Sequence, residues 1–141
     1  MTATRRRRTL GALYVGMALT VGATLAPYAT GHLLADHVRD GYPAYTQARI
    51  DSAVTTWLVT LTVVGAFGVV SWLWTIWAVT TGKRWAPWAI SAMFVLGTSV
   101  ALTALLVRDT SGDVGLAPML GWIGMAPCFA GLAAVATVWR R

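Results

Sequence analysis

Four stretches of this chain, 9–34, 53–80, 86–107 and 116–139, pass without a single charged side chain. Each is long enough to cross a bilayer, since ~30 Å of hydrocarbon takes about 20 apolar residues. Backbone N–H and C=O groups find no water there, so a crossing segment must satisfy them internally, as a helix does. Little chain remains outside these stretches in 141 residues, too little for a separate soluble domain. Apolar residues make up 57% and charged residues 11%, against a usual ~45–50% and ~25% in soluble domains. The expectation is one membrane domain over 1–141.

The charges outside the stretches are sorted. Arg5, Arg6, Arg7, Arg8, Lys83, Arg84, Arg140 and Arg141 fall on one side of the four apolar segments. All five acids, Asp36, Asp40, Asp51, Asp109 and Asp113, fall on the other, with Arg39, Arg49 and Arg108. Cytoplasmic connections retain Lys and Arg. The chain therefore reads as an all-α, four-helix transmembrane bundle, N-in/C-in, multi-pass in the plasma (cytoplasmic) membrane. The net charge of +6 is concentrated at helix ends, where anionic lipid head groups account for it without nucleic acid. The arginine run followed by Thr9 and Leu10 also resembles the start of a secretory or twin-arginine signal. Thr24, Leu25 and Ala26 make a poor cut site before Pro27, so the first stretch is expected to be retained.

Packing signals lie within the stretches. Ala12, Gly16, Thr20 and Thr24 recur every four residues, and Gly121, Gly124, Cys128 and Gly131 fall at i, i+3, i+7 and i+10. Small residues on one helix face let a second helix approach closely, which is how membrane helices associate. Gly16, Gly121, Gly124, Cys128 and Gly131 are therefore the expected close-approach positions, against a helix of this chain or of a partner. Trp72, Trp74, Trp77, Trp85 and Trp88 cluster around the short connection between the second and third stretches. Four of the five bracket it as an interfacial aromatic belt should; a Trp-lined ligand site is the other reading.

Polar chemistry is concentrated on the acidic side. If the first helix continues to Asp40, His32 and Asp36 stand one turn apart on one face, with Tyr28 a turn below. A His–Asp pair can fix an imidazole tautomer for acid–base work. The alternative is solvated polar residues where a helix leaves the bilayer. Within the stretches the polar groups are hydroxyls, which can return their hydrogen bonds to their own helix. Asp51 is expected either to cap the second helix or to pair with Gln47 one turn earlier.

Several functions are disfavoured. A charge at bilayer centre costs at least ~2.5–3.5 kcal/mol on insertion scales and is kept for function. The region 12–26 holds no acid, unlike small four-helix drug/proton antiporters, which depend on a carboxylate there. Haem would need axial ligands in facing helices, yet His32 and His37 share one helix end. The single Cys128 permits no internal disulfide. No metal site and no cofactor is expected. The functional expectation is a non-enzymatic accessory or scaffold subunit, associating through small-residue faces with copies of itself or another membrane protein. The alternative is an enzyme or binder of a lipid-soluble small molecule, with an outer-leaflet site at His32, Asp36 and Tyr28.

Overall fold

A computed structural model describes residues 2–108 and 115–140, so Asp109 and Asp113 lie outside the described residues. Those residues form five helices: α1 Ala3–Ala29, α2 Gly31–Gly41, α3 Gln47–Thr80, α4 Ala86–Leu106 and α5 Pro118–Trp139. Four of them, α1, α3, α4 and α5, are long and apolar enough to cross a membrane.

The first segment departs from the sequence expectation at both ends. Helix α1 starts at Ala3, ahead of position 9, where the Thr2 hydroxyl accepts from the Arg5 backbone N–H at 3.4 Å. It also stops early, at Ala29, so His32 and Asp36 do not continue the spanning helix as expected. Pro27 has no N–H to give the Ala23 carbonyl and its ring crowds that turn. Two residues after it the helix ends, and Thr30 adopts φ −121°, ψ 35°. The chain resumes as the separate α2, which buries Leu34 and Val38, one turn apart on a single face. Helix α3 begins at Gln47, well before position 53, and runs 34 residues. At ~1.5 Å per residue that is about 51 Å, far more than a bilayer core requires.

The helices form a ring in the order α3, α1, α5, α4, which the α3–α4 contact closes. The α1–α5 contact is the most extensive, followed by α1–α3 and α4–α5. Among the described residues no Cα of α3 comes within 8 Å of one in α5, nor any of α1 within 8 Å of one in α4, so these pairs stand diagonally across the bundle. Helices α3 and α4 touch near their connection, where Trp74 and Trp77 lie against Trp85 at ring separations of 5.6 and 6.3 Å. That connection is tight because Gly82 takes φ +67°. Its N–H then reaches the Val79 carbonyl, and the Lys83 N–H reaches the Ala78 carbonyl at 3.0 Å. Two of the last carbonyls of α3 are paired in this way.

Apolar packing is concentrated at the two ends of the bundle. At the end holding both termini, Leu13, Ile76, Val79, Ala86, Ile90, Ala134 and Val138 form a buried core. There Thr9 and Thr137 hydroxyls meet at 3.1 Å, tying the start of α1 to the end of α5. At the opposite end Leu34 of α2 packs with Leu116, Ala117 and Leu120. Between these two cores the bundle is hollow.

Candidate functional site

The hollow begins with how α1 meets α3. Gly65, Gly68 and Trp72 stand on one face of α3 at i, i+3 and i+7, opposite Thr24, Thr20 and Gly16 of α1. A Cβ on Gly65 would overlap the Thr24 side chain, and one on Gly16 would overlap the Trp72 indole. The Trp72 ring nitrogen donates to the Thr20 hydroxyl at 2.8 Å. Thr20 in turn donates to the Gly16 carbonyl at 2.9 Å. Trp72 reaches far enough across α1 for its ring to approach Gly131 of α5. The indole thus lies between α1 and α5, and is not part of the surface belt with Trp74, Trp77, Trp85 and Trp88.

Helix α5 meets α4 at two points along its small-residue stripe. Gly121 lies against Leu105, and Gly131 against Phe94, where an added Cβ would come to 3.0 Å. Between them the expected seam opens. A Cβ on Gly124 would meet nothing within 4 Å. Gly124 and Cys128 instead face a cavity of about 430 Å³ lined by all four long helices. Drug-sized ligand pockets usually measure ~300–1,000 Å³. Val64 and Phe67 of α3 and Leu96 and Val100 of α4 line the cavity while also being exposed at the surface. Its mouth is therefore the lateral gap between α3 and α4.

The cavity wall is overwhelmingly apolar. Its hydroxyls are Thr20, Thr24, Ser71, Thr75 and Thr98. Thr24 donates to the Thr20 carbonyl at 2.8 Å, Ser71 to Phe67 at 2.8 Å, and Thr75 to Trp72 at 2.9 Å. Thr98 differs: its Oγ1 is buried and has no hydrogen-bond partner. Among the described lining residues Cys128 is the one titratable side chain, and no carboxylate, imidazole or amine faces the space.

The polar residues singled out in the sequence lie elsewhere. Tyr28, His32 and Asp36 do not line the cavity. The Tyr28 hydroxyl and Thr62 meet at 2.6 Å, linking α1 to α3. His32 is exposed on α2. Asp36 is held by Arg39 at 3.1 Å in a pair whose side chains are more than half exposed, a contact worth ~0–1 kcal/mol. Arg39 extends to Gln47 at 3.3 Å, and Gln47 donates to Asp51 at 2.8 Å. This chain of contacts fastens α2 to the first turn of α3. Of the two readings of Asp51, the structure shows the pairing with Gln47. No group of three His, Cys, Asp or Glu side chains able to hold a metal ion occurs among the described residues.

Sequence reasoning had the α1 ridge and the α5 stripe but missed their counterpart on α3. The signal was present, since Gly65, Gly68 and Trp72 keep the same i, i+3, i+7 spacing as Gly121, Gly124 and Cys128. Thr98 carried no sequence signal, being one of many hydroxyls in the apolar stretches. Comparison with protein-family models, with curated proteins and with solved structures found no match to this chain.

Proposed function

We propose that this protein is a non-enzymatic integral membrane protein that holds a lipid-soluble molecule inside its helix bundle. The 430 Å³ cavity between the two end cores is the observation that carries this reading. An apolar, partly open chamber between helices is a common form of ligand site. The lack of an acid–base pair on its described wall favours retention of a molecule over its chemical conversion. The accessory-subunit reading rested on small-residue faces, and here Gly16, Gly121 and Gly131 already pack against Trp72, Leu105 and Phe94 of the same chain.

In this proposal the four long helices cross the plasma membrane N-in/C-in. Support comes from charge: Arg5, Arg6, Arg7, Arg8, Lys83, Arg84 and Arg140 all belong to the bundle end that holds the termini and the α3–α4 connection. Arg6 donates to the Thr80 carbonyl there. Asp36, Asp40 and Asp51 occupy the other end. Retention of Lys and Arg on the cytoplasmic side gives the orientation.

Native mass spectrometry of protein released gently from membranes tests the reading. An apolar mass should accompany the wild type and the His32→Ala variant. It should be lost from Gly124→Phe, whose ring projects into the open space, while that variant stays folded. A ligand-free wild type, or bound mass that persists in folded Gly124→Phe, overturns it.

A further inference from the structure

The surroundings of the chamber limit what can fill it. An empty void of about 430 Å³ forfeits dispersion contacts along its whole wall, and destabilisation rises with void volume. Water settles in a cavity only where it finds roughly two to four polar partners. On this wall Thr20, Thr24, Ser71 and Thr75 give their hydroxyl protons to their own helices. The Trp72 ring nitrogen is bonded to Thr20, and the Thr98 hydroxyl is covered by protein. Hydrocarbon is the filler that requires no polar partner. Packed cores occupy both ends of the bundle, so hydrocarbon arrives through the gap between α3 and α4.

Resting on the binding reading above, we infer that the chamber takes the methyl end of one acyl chain of a bilayer phospholipid, whose head group stays outside. The lipid belongs to the leaflet away from the termini. On the termini side the gap is shut, because Trp74 and Trp77 lie against Trp85. Ile76 and Val79 of α3 are also packed there with Ala86 and Ile90 of α4. The exposed lip residues on α4 are Leu96, Gly97 and Val100, facing Val64 and Phe67 of α3. None of these lip residues carries a polar side chain, and a Cβ on Gly97 would meet nothing within 4 Å. Leu96 and Val100 stand about 15 and 21 Å from the termini-side end of α4, a helix about 31 Å long. That depth runs from mid-bilayer into the far leaflet, the level of acyl chains, with head groups farther out. Leaving lipid for the chamber brings a chain no hydrophobic gain. The gain is the wall contact that an empty chamber lacks, and occupancy follows the high concentration of chains around the protein.

Two phospholipids test this with the full-length protein in lipid nanodiscs. Each carries a photoactivatable diazirine on one acyl chain, near the methyl end in one and near the glycerol in the other. Adducts are located by peptide fragmentation. The methyl-end probe should label Trp72 and Cys128, which line the chamber, as well as Phe129 and Leu132, which are exposed on the outside of α5. The glycerol-end probe should leave Trp72 and Cys128 unlabelled. Gly97→Trp, which plugs the lip, should lose the labelling of Trp72 and Cys128 and keep that of Phe129 and Leu132. Equal chamber labelling by the two phospholipids, or chamber labelling that persists in Gly97→Trp, overturns the proposal. A diazirine-bearing hexadecane, which has no head group, separates it from the binding reading. If hexadecane labels Trp72 and Cys128 and neither phospholipid does, the phospholipid assignment is overturned and the chamber remains a site for another apolar molecule. If no probe labels either residue, the binding reading is overturned as well.

Discussion

Glycine has different consequences at different places in these helices, and the difference is set by what stands opposite. Gly16 and Gly22 lie on the same helix, yet a Cβ at Gly16 would overlap Trp72 while one at Gly22 meets nothing within 4 Å. Gly16→Leu should therefore displace the indole and break its bond to Thr20. The expected destabilisation is about 1–3 kcal/mol or more, as for other overpacked interiors. Gly22→Leu, on an exposed face, should change stability by under about 0.5 kcal/mol. Reversible unfolding in mild detergent, followed by tryptophan emission, compares the two. Gly16 was legible in the sequence from its place in a ridge of small residues. Its partner was not, because no spacing rule says which tryptophan of five leaves the interfacial belt.

At the scale of elements, the boundaries carry the structural information. The α3–α4 connection works because Gly82 takes a left-handed conformation that closes two hydrogen bonds across the helix end. A side chain there costs ~1–2 kcal/mol, so Gly82→Ala should lower unfolding stability by about that amount without altering helix content by circular dichroism. The sequence placed α4 and α5 to within about two residues, since a charge or a proline marks each of those ends. It ran the first segment on past Thr30, because hydrophobicity continues through Leu33 and Leu34 although the helix does not. Leu34 is apolar for a different reason: it docks the short α2 onto the end of the bundle. That break separates His32 and Asp36 from the spanning helix and leaves His32 exposed.

For the whole molecule, the arrangement of helices matters more than their number. A ring of four helices with packed cores at both ends of the bundle must either fill the middle with side chains or leave it empty. Small residues at Gly124 and Cys128 of α5, diagonally across the bundle from α3, leave it empty. Orientation is the property of the whole chain most directly testable. In a Cys128→Ala background, a Thr2→Cys thiol should react with a membrane-impermeant maleimide only after cells are opened. An Ala44→Cys thiol should react on intact cells. The opposite pattern would reverse the assignment, and equal labelling of both would argue against a fixed topology.

The sequence alone determined that the chain is helical, that four stretches have the length and composition of membrane spans, and that eight of the eleven cationic side chains fall on one side of them. These properties follow from local composition, because a bilayer admits few backbone structures and charge placement reads directly along the chain. The hollow centre, the diversion of Trp72 from the surface and the buried, unbonded hydroxyl of Thr98 arose only when four helices were set side by side. Whether two small residues make a tight contact or a void depends on what the facing helix brings to that level, and one-dimensional spacing holds no record of it.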